Sequence, residues 1–272
     1  MGENKYGCLK NTAIGCGVLL VVAIAIFFIG GYSLMRPFSE AVDVRSELEE
    51  EYGALEAFVP AKSGAVPPDR MAVFLQVRRE LAESCVEFAR VEEQFLKMEE
   101  FDDQEEVSRT EVLMEAFKTT RSAIGMGPLM GRFFTTRNRA LLEAKMGMGE
   151  FTYVWVVSNH DRILNPHDES ELFGRGLLNS RVRGGLLAML VNQRDALGRE
   201  QGVPPEEIAL LEAEIDAMES DGRRVLWQDG LPPAIAESIE PYRQELDELY
   251  CGSTAPLELM INVRHGPAIE SR

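Results

Sequence analysis

The chain has 272 residues and a formal net charge of -17, with 45 acidic against 28 basic side chains. Such a surface is repelled by phosphate, which argues against nucleic acid as a partner, and it avoids anionic lipid except at an anchor. Its length suits one large domain or two small ones, with apolar residues at 45% to fill a core.

An anchor is the first expectation in chain order. No charged residue occurs between Lys10 and Arg36. Ile14–Met35 as a helix would rise roughly 33 Å, about the thickness of a hydrocarbon core. The apolar run is longer than a signal-peptide core, and Gly30-Gly31-Tyr32-Ser33 is the only plausible cleavage region, so the run reads as a retained anchor. Lys5 and Lys10 precede it and Arg36 alone follows closely, which places the N-terminus in the cytoplasm and the bulk of the chain outside. The expected division is a short tail at 1–12, a transmembrane helix at 13–35, a stalk helix with a Pro/Gly-rich loop at 36–68, and an acidic helical domain at 69–272. Arginine outnumbers lysine and no Asn-x-Ser/Thr acceptor is present, which fits a bacterial inner-membrane protein with a periplasmic domain.

The stalk shows Val42, Leu48, Tyr52 and Leu55 among many glutamates. The clearest helix runs from Asp69 to Phe101, where Phe74, Val77, Leu81, Phe88, Val91, Phe95 and Met98 recur at three and four residues. A second helix is expected over Gln104–Ile124, broken by a Gly-rich stretch ending at Gly131. A long helix should then run from Arg132 to about Asn159. Its second half, Phe151 to Val157, has strand propensity but no second strand nearby to pair with. Asn159–Gly176 is irregular. Further helices are expected from Asn179 or Ser180 to Arg199, from Pro205 to before Gly222, and from Pro233 to Tyr250. Proline pairs open several of these, because a first-turn N–H has no helical partner. Leu257–Val263 is a short apolar end, strand-like or laid over the rest. The fold expected is all-α, a bundle of about six to seven helices outside the membrane.

Three constellations are candidates for chemistry. Gly147 and Gly149, with Glu150, Tyr153 and Trp155, suggest close approach of another helix or a groove for a small apolar ligand, because glycine in a helix costs about 1 kcal/mol and needs compensation. Glu150 would need a cation such as Arg137, Arg139, Arg181 or Arg183. His160 and Asp161, with His167 and Asp168, carry ordinary zinc or iron ligand types in a spacing that matches no strong motif, and a plain surface loop with helix caps is the favoured reading of them. Cys85 and Cys251 would pair in an oxidising compartment if their Cα atoms meet. There is no Gly-x-Ser-x-Gly and no phosphate-cradling glycine loop, so no cofactor is implied. The leading expectation is a membrane-tethered, non-enzymatic interaction or scaffold module with a protein partner in the cell envelope. The alternatives are a binding protein for a lipid or small apolar ligand, and a metal-dependent hydrolase.

Overall fold

The computed structural model describes residues 38–102, 127–165 and 180–260. The expected anchor Ile14–Met35, the expected helix Gln104–Ile124 and the residues His167 and Asp168 lie outside them. Every regular element among the described residues is helical, and none of these helices is long and apolar enough to cross a membrane.

Helix α1, over 38–52, buries Ala41, Arg45 and Leu48 on one face and leaves most of its acids in water. It stops at Gly53, whose φ of +81 closes the last turn through a bond from its N–H to Glu49 O. A 3-10 turn, Leu55–Ala57, follows. The expected free stalk is therefore corrected. Ala41, Leu48, Leu55 and Val66 belong to the same apolar core as the rest of the domain. The stripe that resembles an isolated amphipathic stalk is one face of a core helix.

Helix α2, Pro68–Asp102, is the long spine. Met71, Phe74, Val77, Leu81 and Phe88 form its buried stripe. Helix α3, over 127–143, runs antiparallel to it. Phe88 meets Phe133 edge-on with ring centroids 5.8 Å apart, while at the other end Arg70 Nη2 donates to Lys145 O at 3.0 Å. The expected continuous helix from Arg132 to Asn159 is broken. Lys145 takes a left-handed φ of 53, and the N–H groups of Lys145 and Met146 return to Leu142 O and Leu141 O. That is a Schellman-type stop built on lysine where glycine is usual.

Helix α4, Met148–Ser158, then starts with Gly147 as its N-cap. Nearly all its residues are buried, including Phe151 to Val157. A helix apolar all round has to lie inside the protein, and here neighbours surround it. Its β-branched and aromatic composition does not make it a strand, because burial on every side overrides a weak local propensity. Helix α5, His160–Leu164, is a short continuation. Helices α6, Ser180–Gly198, and α7, Pro205–Ser220, form an antiparallel pair: Arg183, in the first turns of α6, donates to Asp221 O just past the end of α7.

The helix expected over Pro233–Tyr250 is three pieces. Helix α8, Pro233–Ile239, passes into a 3-10 turn, Glu240–Tyr242, and then α9, Arg243–Glu248. Pro241 sits at the joint, where it supplies no N–H and crowds the preceding turn. The apolar end is a short helix, α10, Ala255–Glu258, with Ala255, Leu257 and Leu259 buried.

Candidate functional site

The glycine-marked segment of α4 is a point of close approach, and what approaches is the chain itself. A Cβ on Gly149 would lie 2.5 Å from Leu55 O and 2.6 Å from Phe58 Cβ; one on Gly147 would lie 2.8 Å from Tyr52 Cβ. On the other side of Leu55, a Cβ on Gly185 of α6 would fall 2.2 Å from Leu55 Cδ2. Leu55 is thus a wedge held between two helices that meet it with glycine. The neighbours are the end of α1, at Tyr52, and the turn that follows it, at Leu55 and Phe58. An apolar ligand here would have to displace Leu55 and Phe58.

Glu150 and Tyr153 of this segment are engaged internally. Glu150 pairs with Arg70, Nε to Oε1 and Nη2 to Oε2 both at 2.6 Å, rather than with Arg137, Arg139, Arg181 or Arg183. This bidentate pair, the largest influence on Arg70, raises its pKa further. Tyr153 Oη donates to Gly64 O at 2.6 Å, and burial pushes its phenol well above the ordinary range. Glu150 therefore ties α4 to the first turn of α2, and Tyr153 fastens the loop between α1 and α2 onto α4.

Trp155 is fully buried and belongs to a second constellation, which closes the C-terminal segment. Its Nε1 donates to Glu258 Oε2 at 2.9 Å. Arg78 Nη1 pairs with the same oxygen, and Thr254 Oγ1 donates to Glu258 Oε1 at 3.0 Å. Arg78 Nη2 also reaches Leu249 O at 2.5 Å. Arg137, only 1% exposed, donates through Nη1 to Leu257 O, Glu258 O and Met260 O, each at 2.9 Å, and through Nε and Nη2 to Asn138 Oδ1. Burial lowers its pKa to about 9; the charge of Arg45 adds to this and Glu258 opposes it. Arg78 and Arg137 each stand in an apolar helical stripe, four residues after Phe74 and Phe133 respectively. An arginine in such a stripe is the mark this network leaves in the sequence.

Cys85 and Cys251 are joined by a disulfide, with Cα atoms 6.0 Å apart. The bond ties α2 to the chain just ahead of α10. Ser253 Oγ, two residues further on, donates to Glu92 of α2.

His160 is buried, and its Nε2 donates to Trp227 O at 2.9 Å. Its Nδ1 lies 3.9 Å from Asp161 Oδ1, a carboxylate that is exposed and bound by Arg243. Among the described residues no group of three His, Cys, Asp or Glu side chains converges as metal ligands would. A ring nitrogen committed to a backbone carbonyl fixes the loop at Trp227. That loop is further held by Glu214, which accepts from Trp227 N–H at 2.7 Å and pairs with Arg224 at 2.8 Å.

No family model matches the chain, and neither a curated protein nor a solved structure does.

Proposed function

We propose that the chain is a membrane-tethered helical module that acts by noncovalent association with a protein partner in the cell envelope. The observation that carries this reading is the charge-free stretch Ile14–Met35, followed almost at once by a packed and disulfide-tied domain. Lipid offers a backbone no partners, so such a stretch is stable there as a helix. A disulfide persists in an oxidising compartment, which supports placing the domain outside the cytoplasm. The net charge of -17 favours a partner with a basic or neutral face over nucleic acid. The polar groups at Glu150, Tyr153 and Trp155 are spent on internal fastening, which supports association at the surface over chemistry inside.

Residue 38 already lies in α1, three residues past Met35, so the reading sets the domain close behind the anchor. That separation is a reach of about 10 Å at most, so the near end of the domain lies close to the bilayer surface. The test is alkaline carbonate extraction with protease protection. The full chain should remain in the membrane pellet with its domain cleavable from the outer side, and a chain starting at Glu40 should be released. A mature chain beginning near Tyr32 or Ser33 would overturn the tether.

A further inference from the structure

Helix α7 has a face that the rest of the domain leaves in water. Leu211, Ile215 and Met218 turn its inner side into the core. On the outer side Leu210 is 49% exposed. Ala213 and Ala217 follow it in the sequence, the first exposed and the second half-buried. Residues spaced three and then four apart lie along one line of a helix surface. Small side chains in such a line let a second helix axis come close, and Leu210 stands at its head as an apolar anchor.

Charge borders that line. Pro205–Ser220 carries Glu206, Glu207, Glu212, Glu214, Asp216 and Glu219 and no basic residue. Glu214 is taken inside the domain, by Arg224 and by Trp227 N–H. The others are exposed and make no ion pair among the described residues. The field of Arg194 on α6 reaches Glu212 and Glu219, but that guanidinium is paired with Asp195. Glu212 and Asp216 stand four residues apart, and Asp216 and Glu219 three apart, spacings at which like charges repel. Cations laid against this face relieve the repulsion. A second copy of the same face adds to it, and an anionic lipid surface does the same.

We propose that the outer face of α7 is the docking surface for a basic amphipathic helix of a protein partner. Leu210, Ala213 and Ala217 lie under the apolar side of that helix, and Glu206, Glu207 and Asp216 meet its lysines and arginines. The apolar line supplies the contact area, and the acids set the orientation and speed the encounter. This surface deepens the association proposed above and rests on it, giving the partner a chemical class.

The test uses the full chain in phosphatidylcholine discs and a fluorescent synthetic peptide of about 18 residues, long enough to be helical. Its leucines and alanines fall on one face and its lysines and arginines on the other. A scrambled peptide of the same composition and empty discs are the controls. Fluorescence anisotropy should show saturable binding of the patterned peptide and little of the scrambled one. Leu210→Glu separates docking from plain charge attraction. It should weaken binding about ten-fold or more if Leu210 is an anchor, whereas charge attraction alone would make the added acid bind tighter. Its denaturation midpoint should stay near that of the wild type, because the side chain is half exposed. Val86→Glu adds the same charge at an exposed position of α2 and should leave the affinity unchanged. Glu206→Lys should weaken binding and flatten its salt dependence. No binding by the wild type, equal binding of the scrambled peptide, or undiminished binding by Leu210→Glu overturns the docking face. Such a failure leaves the tether to be judged by carbonate extraction alone.

Discussion

Gly149 and Gly184 differ in what surrounds them, and stability should follow the surroundings. Gly149 has a backbone carbonyl and a Cβ inside the space a side chain needs, so Gly149→Ala should cost about 1–3 kcal/mol, the range for forcing atoms into a packed core. Gly184, one residue before Gly185, has nothing within 4 Å. Gly184→Ala should therefore be neutral or stabilising by up to about 1 kcal/mol, because alanine is the better helix former. Denaturant midpoints of the two variants decide the matter, and equal shifts would sink the wedge. Tyr153 carries a pH prediction. Its folded pKa is raised above the ordinary 10.0 by burial, so its contribution is complete below pH 10 and is lost as pH rises above that value. Between about pH 9 and 11 the stability of the wild type should fall more steeply than that of Tyr153→Phe. At this scale the sequence was informative about need and silent about identity. Glycines at 147 and 149 announced a close approach and Glu150 announced a cation, but Leu55 and Arg70 are far away in the chain, and no local pattern points to them.

At the scale of elements, the helices with one buried face were legible and the exceptions have local causes. The stripe of α2 and the proline-opened start of α7 are readable from spacing alone. The break at Lys145 was not, because a left-handed lysine leaves no mark in composition, whereas Pro241 was a readable mark inside the expected last helix. The attachment of α10 left one local mark, arginines standing at apolar positions of the α2 and α3 stripes, but nothing local shows what they bind. That attachment gives a prediction with a built-in control. Glu258→Leu leaves Arg78 charged and unpaired in the core, and Arg78→Met leaves Glu258 in the same state; each should destabilise by about 3–5 kcal/mol. The double variant removes both charges, and replacing a buried pair by apolar groups is often close to neutral. A double-mutant cycle in urea should therefore show the pair costing far less than the sum of the singles. Additive losses would mean that Arg78 and Glu258 act independently.

For the molecule as a whole, the all-helical class follows from the periodicities, but the position of the domain boundary does not. Residues 38–66 look like a spacer because their acids dominate the composition. They are core because Ala41, Leu48, Leu55 and Val66 recur where one face can be buried, and only the rest of the fold supplies a surface to bury them against. The same long-range closure governs the disulfide. Cys85 and Cys251 are separated by 166 residues, so opening the bond frees a very long loop in the unfolded chain. On the chain-entropy account the loss is about 4–5 kcal/mol. Cys251→Ser should therefore show a lowered denaturation midpoint, and addition of reductant to the wild type should bring it to the same value, because both open the same loop. Reductant should leave the Cys251→Ser midpoint unchanged. The sequence holds 4 cysteines. Alkylation of the unfolded, unreduced chain should mark Cys8 and Cys16 alone, and reduction beforehand should add Cys85 and Cys251. Labelling of all four without reductant would remove the covalent tie between α2 and the end of the domain, leaving Arg78, Arg137 and Glu258 to hold that end by themselves.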